Sequence, residues 1–316
     1  MSNQEVVAKG GAGPSSMAWV FPGQGSQVVG MGKPLYDLQP EVRSLYDTAN
    51  QVLGYSISDL CFNGPADLLQ RTDNAQPALL VTEVAHLTAL RLRYPGHYDN
   101  AAFVAGHSLG EYAALVAAGV LAFEDALMLV AERGRLMNEA GSSLDQPTGM
   151  IAVLGLPDEA AESVSRGAGV DLANLNAPGQ IVLSGPQEAL AQATELAEAA
   201  GARRVVPLQV SAAFHSRWMR PISEQFALHL GQTAFAEPEI PVVANVTARP
   251  APDALDIRRL LEMQTYSPVR WVESVQYMVE QGVTTFVEVG PGKVLSGLIK
   301  RIARGSQVVS SEDLLS

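Results

Sequence analysis

The chain has 316 residues, of which 47% are hydrophobic, and a net charge of −12. This length and composition suffice for a large domain with a small domain inserted in it, whereas the negative charge disfavours nucleic acid as a partner. The single cysteine, Cys61, speaks against a disulfide framework, a cysteine-based metal site or a two-cysteine redox centre, and a cytoplasmic location is expected.

The N-terminal segment 1–16 is polar and rich in small residues, and we interpret it as a disordered tail without a secretory signal. The longest apolar run, near 113–123, is too short to predict a membrane span. Apolar segments at 17–21 and 102–105 each run into a glycine-containing turn and a helical pattern, which is typical of a parallel α/β sheet. A third such unit at 284–302 predicts a sheet with strands from both ends of the chain.

The middle of the chain has a different order of elements. Strand patterns at 150–154, 170–175, 181–184 and 203–208 alternate with helical patterns at 158–166 and 186–200, in the order β-α-β-β-α-β. The sequence therefore predicts an α/β-hydrolase-like large domain with a parallel sheet over 17–140 and 210–316. A ferredoxin-like small domain is predicted over 141–209.

The segment Gly106-His107-Ser108-Leu109-Gly110 lies between a predicted strand and a predicted helix. In this context the pattern indicates a nucleophile elbow, in which glycines allow a tight turn that exposes the serine hydroxyl. The helix N-terminus that follows can stabilise a developing oxyanion, with the Leu109 amide as the first donor.

A serine nucleophile requires a base, and His215 is the best candidate among the five histidines because it follows the predicted small domain in a loop. Its local sequence alone is explained equally simply by an ordinary loop histidine. His107 adjoins the serine and is expected to support the site by hydrogen bonding. Phe21-Pro22-Gly23-Gln24-Gly25 lacks the lysine of a phosphate-binding loop; it is either a tight turn only or the source of a second oxyanion donor at Gln24. Arg133 lies in a helical pattern at 123–140 whose other charged residues are typical of a solvated face, and by itself it indicates no function.

Taken together, five motifs resemble those of the malonyl-CoA:acyl carrier protein transacylases over about residues 17–304. The motifs are Phe21-Pro22-Gly23-Gln24-Gly25-Ser26-Gln27, Gly106-His107-Ser108-Leu109-Gly110-Glu111-Tyr112, Asn176-Ala177-Pro178-Gly179-Gln180, Gln264-Thr265-Tyr266-Ser267-Pro268-Val269 and Glu288-Val289-Gly290-Pro291-Gly292-Lys293.

The resemblance implies that Ser108 is the acylated nucleophile, that His215 is its general base, and that the amides of Gln24 and Leu109 hold the oxyanion. Gln264 is implied to organise the site. The resemblance also implies that backbone carbonyls orient the histidine, so that no acidic third residue is expected.

By the same resemblance, Arg133 pairs with the free carboxylate of a malonyl group, which a planar guanidinium can recognise through two charge-assisted hydrogen bonds. Phe214, in Ala213-Phe214-His215-Ser216, is similar to its counterpart in malonyl-selecting polyketide acyltransferases and is expected to exclude a methyl branch. Asn176 is assigned a supporting role together with His107.

The implied reaction is ping-pong transfer of malonyl from malonyl-CoA, the substrate, to the phosphopantetheine thiol of an acyl carrier protein. No permanently bound cofactor, metal, nucleic acid or membrane partner is expected. The segment 244–249 favours a discrete enzyme of polyketide over fatty-acid synthesis, and a proofreading acyl hydrolase of the same fold is the alternative. Candidates for a basic carrier-binding patch are Lys293, Lys300, Arg301, Arg304, Arg217 and Arg220.

Overall fold

A computed structural model describes residues 16–96, 101–143 and 146–316. The predicted tail, 1–16, lies outside these residues except for Ser16. The Ser16 carbonyl accepts hydrogen bonds from the amides of Thr284 and Thr285 at 2.9 and 3.2 Å. Ser16 is therefore part of the folded domain and not of the tail.

A mixed sheet of six strands forms the centre of the larger part of the molecule. Its strands are β1 (Met17–Phe21), β2 (Phe103–Gly106), β7 (Val242–Ala244), β8 (Arg249–Pro250), β9 (Thr285–Glu288) and β10 (Gln307–Ser310), in the order β10-β9-β1-β2-β7-β8. All neighbours are parallel except β8, which is antiparallel to β7. Strands from both ends of the sequence lie side by side, as predicted.

A second sheet is formed by the middle of the chain. Its strands are β3 (Thr148–Leu154), β4 (Asp171–Ala177), β5 (Gln180–Pro186) and β6 (Arg204–Pro207). The order is β4-β5-β3-β6 and every pairing is antiparallel. Two helices, 158–168 and 187–199, connect the strands in the sequence order β-α-β-β-α-β.

Helices surround both sheets. They are α1 (Lys33–Leu38), α2 (Pro40–Leu53), α3 (Ile57–Asn63), α4 (Ala66–Gln70), α5 (Thr72–Arg93), α6 (Gly110–Ala117), α7 (Phe123–Ser143), α8 (Asp158–Ala168), α9 (Gln187–Ala199), α10 (Arg220–Gln232), α11 (Ala254–Gln264), α12 (Trp271–Glu280), α13 (Val294–Ile302) and α14 (Ser311–Leu315), with a 3₁₀ turn at Arg217–Met219. Within the described residues, no helix is long and apolar enough to span a membrane.

The small domain was predicted to begin at 141, but α7 continues to Ser143. In the structure a methyl group on Gly141 would lie 2.0 Å from the Ser211 carbonyl oxygen. Gly141 therefore permits a close approach between α7 and the segment that returns from the small sheet, and it does not end the helix.

Alternation along β1 explains why the large sheet is covered on both faces. Trp19 and Phe21 belong to one buried cluster, whereas Ala18 and Val20 belong to another, as expected because successive side chains of a strand point to opposite faces. The loops that follow β1, β2 and β9 all leave the carboxyl edge of the sheet. Binding sites of open α/β sheets are found at this edge.

Candidate active site

Ser108 occupies a strained turn between β2 and α6. Its φ of 52° lies in the left-handed region, which a non-glycine residue adopts only where the surroundings hold it. A methyl group on Gly106 would lie 1.8 Å from the Gly110 carbonyl carbon, and one on Gly110 would lie 2.1 Å from the Phe21 carbonyl oxygen. Both glycines are therefore required for the turn, as the nucleophile-elbow interpretation predicts.

Ser108 and His215 meet in space although 107 residues separate them. Ser108 Oγ lies 2.7 Å from His215 Nε2, and His215 Nδ1 lies 2.8 Å from the carbonyl oxygen of Gln264. A carbonyl only accepts, so Nδ1 carries the proton and Nε2 is left as the acceptor for the serine hydroxyl. This arrangement suits His215 to accept the proton of the Ser108 hydroxyl.

His215 is held in its neutral form. Its side chain is buried and its φ is 57°, again in the left-handed region. Burial, followed by the nearby charge of Arg133, lowers the pKa of His215 to about 3. A histidine that stays unprotonated near neutral pH can accept a proton throughout the physiological range.

The loop after β1 packs directly against the elbow. A methyl group on Gly23 would lie 2.4 Å from the His107 carbonyl oxygen, which brings the following residue, Gln24, beside the turn. The backbone amides of Gln24 and Leu109 make no hydrogen bond within the described parts of the chain. Two unused amides next to Ser108 are suited to hold an oxyanion.

Arg133 reaches Ser108 from α7. The residue is 2% exposed, and its guanidinium donates to Ser108 Oγ at 3.0 Å, to Gln264 Oε1 at 2.9 Å and to Gln76 Oε1 at 2.7 Å. The ring of Tyr112 lies 5.6 Å from it. Arg133 is therefore a buried cation held beside Ser108. The periodicity of α7 could not indicate this burial.

None of the described carboxylates forms a salt bridge with Arg133. Its neutral partners accept only part of its hydrogen-bonding capacity, and Nε has no partner among the described residues. A buried cation with spare donors favours an anionic ligand, because leaving it unpaired is costly. The ligand would lie beside Ser108.

Three further polar residues of the site were missed by sequence reasoning. Asn245 follows β7; its Oδ1 accepts from the Ser108 amide at 2.7 Å and its Nδ2 donates to the Gly106 carbonyl at 2.6 Å. Glu111 and Gln76 are also buried. Glu111 accepts from the main-chain amide of Asn245, and Gln76 accepts from Arg133. Two of them carried a weak signal in the sequence: Glu111 lies in the motif at 106–112, and Asn245 lies in the segment 244–249.

The predicted supporting residues also meet. His107 Nε2 lies 2.7 Å from Asn176 Oδ1, so the elbow is tied to β4 of the second sheet. Phe214 is buried beside His215, and its carbonyl accepts from Ser184 Oγ at 2.8 Å. Gln264, fully buried at the end of α11, contacts both the base and the arginine, in keeping with an organising role.

A cleft of about 480 Å³ lies next to His215. Arg166, Arg217 and Tyr266 are among the residues that line it. Arg220 stacks on the Tyr266 ring, 4.6 Å from its centroid, and adds a third cation nearby.

The candidate basic residues differ in their surroundings. Lys293 is paired with Asp313 at 2.7 Å, Arg217 is paired with Asp171, and Arg301 donates to the Pro178 carbonyl at 2.8 Å. The remaining candidates are exposed: Lys300, Arg304 and Arg220. No group of three or more metal-ligating side chains occurs within 16–96, 101–143 and 146–316.

The acyl transferase domain model matches residues 18–315. A malonyl CoA-acyl carrier protein transacylase of Bacillus subtilis is 45% identical over 307 residues, which are 95% of this chain and 94% of that protein. The structure of an acyl carrier protein S-malonyltransferase from Vibrio cholerae is similar with a TM-score of 0.90 and 40% identity, covering 96% of this chain and 100% of that one.

A further similar structure is that of a malonyl-transacylase in complex with its type II polyketide synthase acyl-carrier protein. The TM-score is 0.87 and the identity 40%, over 94% of this chain and 95% of that one. The family model and the identities span nearly the whole chain. The chain therefore belongs to the acyl transferase domain family, among the malonyl-CoA:acyl carrier protein transacylases.

Proposed function

We propose that this enzyme transfers a malonyl group from malonyl-CoA to the phosphopantetheine thiol of an acyl carrier protein, through an ester on Ser108. The observation that carries the choice of acyl group is Arg133, a buried guanidinium that touches Ser108 Oγ and pairs with no described carboxylate. A malonyl group on the serine supplies that carboxylate. An acetyl group does not.

In the first half-reaction the Ser108 hydroxyl gives its proton to His215 Nε2 while Oγ attacks the thioester carbonyl. The carbonyl oxygen becomes an oxyanion, which the amides of Gln24 and Leu109 stabilise. Collapse breaks the carbon–sulfur bond, and the CoA thiolate takes the proton from His215. Ser108 then carries the malonyl ester.

In the second half-reaction the carrier thiol gives its proton to His215 and attacks the ester. Collapse breaks the bond to Ser108 Oγ, and the serine regains the proton from His215. Because Arg133 holds the distal carboxylate throughout, the ester carbonyl keeps one orientation for both attacks. Phe214, buried beside His215, is the proposed barrier to a methyl branch on the acyl group.

The carrier is proposed to approach over the cleft beside His215, with Arg217, Arg220 and the C-terminal cations Lys300 and Arg304 near its acidic surface. A polyketide pathway is favoured by the segments around Phe214 and Asn245. In this proposal the chain from 17 to the end of α7, together with 210–316, forms an α/β-hydrolase-like catalytic domain. The second sheet and its two helices form a ferredoxin-like small domain, which is tied to the elbow through Asn176. A cytoplasmic location belongs to the same proposal.

The alternative, a proofreading hydrolase of the same fold, requires water to attack the Ser108 ester. Arg133 disfavours it, because an acyl hydrolase that clears assorted acyl groups gains nothing from a buried carboxylate receptor.

Incubation of the protein with malonyl-CoA is expected to add one malonyl mass, located on Ser108 by peptide mapping and absent from Ser108→Ala. Adding a phosphopantetheinylated carrier should move that mass to the carrier. An adduct on Ser108→Ala, or release of free malonate without transfer to the carrier, would overturn the proposal.

A further inference from the structure

Glu111 is a buried carboxyl that shares the Gln264 side-chain amide with the Ser108 carbonyl, and the proposed reaction does not use it. It belongs to the first turn of α6, is 2% exposed, and uses one carboxylate oxygen, Oε2, for two donors. These donors are Gln264 Nε2 at 2.8 Å and the main-chain N–H of Asn245 at 3.1 Å. Burial raises the pKa of Glu111 to about 7, while its hydrogen bonds and the charge of Arg133 oppose that rise.

The side-chain amide of Gln264 has a different neighbour at each end. Nε2 faces three acceptors, namely Glu111 Oε2, the Ser108 carbonyl at 3.0 Å and Asn245 Oδ1 at 3.4 Å, whereas Oε1 faces the Arg133 guanidinium at 2.9 Å. If the amide were turned over, its oxygen would face three acceptors and its NH₂ group would face a cation. Only the observed orientation satisfies all these groups.

Glu111 Oε2 makes the shortest contact with Gln264 Nε2, at 2.8 Å. It opposes the turned-over amide, because two acceptor oxygens facing each other would both be left without a donor. With the amide fixed, Arg133 Nη2 keeps an acceptor that directs the guanidinium at Ser108 Oγ. The orientation of the arginine therefore depends on a residue it does not hydrogen-bond.

We propose that Glu111 is a positioning residue that sets the selectivity for a carboxylated acyl group, by fixing the Gln264 amide and through it Arg133. The inference rests on the proposed function, which it deepens. Loss of the acceptor at 111 lets the Gln264 amide turn over, which brings NH₂ against the guanidinium and displaces it. Use of malonyl-CoA then suffers, whereas use of acetyl-CoA, which has no carboxylate, suffers less.

The base is affected differently, because His215 is oriented by the main-chain carbonyl of Gln264 and not by its side chain. A turned-over amide leaves that carbonyl in place. The expected signature is consequently a change in the choice between acyl groups, beyond any common loss of rate.

The test is the ratio of kcat/KM for malonyl-CoA to that for acetyl-CoA, measured on one preparation of each variant. Because both substrates see the same active sites, partial misfolding cancels from the ratio. Glu111→Leu and Glu111→Met remove the acceptor, so that one can replace the other if its yield is poor. Glu111→Gln keeps an oxygen at the position of Oε2 without the charge.

Glu83→Leu is the matched control. Glu83 is another fully buried carboxyl, and it has no hydrogen-bond partner within the described residues. We expect Glu111→Leu or Glu111→Met to lower the ratio about tenfold, which corresponds to the loss of one hydrogen bond. Glu111→Gln and Glu83→Leu should keep the wild-type ratio.

An unchanged ratio in Glu111→Leu and Glu111→Met overturns the inference, and so does an equal loss in Glu111→Gln, which would assign the effect to charge and not to orientation. In both cases a wild-type preference for malonyl leaves the proposed function intact. A wild type without that preference would instead overturn the proposed function itself.

Discussion

The imidazole of His215 donates from Nδ1 to the main-chain carbonyl of Gln264 at 2.8 Å. A carbonyl fixes the tautomer of the ring as a carboxylate would, but it carries no full negative charge with which to stabilise an imidazolium. Burial and Arg133 then lower the pKa of His215 to about 3. Because its pKa is low, His215 is suited to accept a proton for a short time and to pass it on when the oxyanion collapses.

Replacing Arg133 is expected to change the acid limb of the pH profile. Arg133→Met removes the second cause of the low pKa of His215 and leaves burial, the larger cause, in place. The pKa of His215 should therefore rise, and activity with acetyl-CoA should begin to fall at a higher pH than in the wild type. Rates measured with acetyl-CoA from pH 4 to 8 test this.

Arg135→Met, an exposed position on the same helix that is paired with Glu132 and Glu139, serves as the control and should keep the wild-type acid limb. Coincident limbs for Arg133→Met and the wild type would contradict the expectation. Malonyl-CoA is unsuitable for this comparison because its carboxylate requires Arg133.

Gly110→Ala is expected to destabilise the protein and abolish acylation, because the added methyl group would lie 2.1 Å from the Phe21 carbonyl oxygen. Relief requires a shift of the elbow or of β1, at a cost of about 1–3 kcal/mol. Gly297→Ala is the control, since Gly297 lies inside α13 with no atom within 4 Å of the added group. It should gain up to about 1 kcal/mol. Urea unfolding measures the stability of both variants. Equal changes in the free energy of unfolding for Gly110→Ala and Gly297→Ala would refute the packing argument.

Asn245→Ala is expected to lower kcat by about tenfold or more while the fold persists. The change leaves the Ser108 amide without its acceptor and removes the donor to the Gly106 carbonyl, at about 1–3 kcal/mol for an unsatisfied buried group. The strained turn then loses the side chain that holds it. Single-turnover acylation would detect the loss. Thr247→Ala, at an exposed site in the same loop, should behave like the wild type.

Glu83→Gln is expected to stabilise the protein increasingly as the pH rises. Burial and the neighbouring Glu288 raise the pKa of Glu83 well above its usual value, so above pH 4.5 the folded state binds more protons than the unfolded state. The free energy of unfolding then falls with rising pH in the wild type, by up to about 1.4 kcal/mol per pH unit. The glutamine variant lacks this term.

Unfolding curves of Glu83→Gln and the wild type at pH 5 and pH 8 provide the measurement, with Glu188→Gln, an exposed helix position, as the reference. The difference between Glu83→Gln and the wild type should be larger at pH 8. A difference that shrinks or stays constant would show that Glu83 is ionised in the folded protein.

Local patterns predicted the elements well because each carries its own signal. The strands at β1 and β9 are apolar runs that end in glycine turns, and Ser108 stands in a five-residue motif. The second sheet followed from the order of strands and helices. The predicted boundary at 141 falls inside α7, because the close approach of Gly141 to the Ser211 backbone is a tertiary contact that the local pattern does not record.

The site was less predictable where its contacts are tertiary. Glu111, Asn245 and Gln76 meet around the nucleophile from α6, the β7 loop and α5, and no spacing in the sequence links them. Arg133 could be assigned only through resemblance to a family, since on α7 it differs from its charged neighbours by burial and not by pattern. Side chains that become functional by packing leave little trace in a single sequence.

Gln264 links two tasks in one residue: its backbone carbonyl orients the base and its side chain holds the arginine. Any redesign of acyl specificity that begins at Gln264 therefore also disturbs the reaction rate. Gln76 holds the opposite side of the guanidinium from α5, at 2.7 Å, and has no contact with His215 among the described hydrogen bonds. An engineer who wishes to enlarge the range of extender units should begin at Gln76.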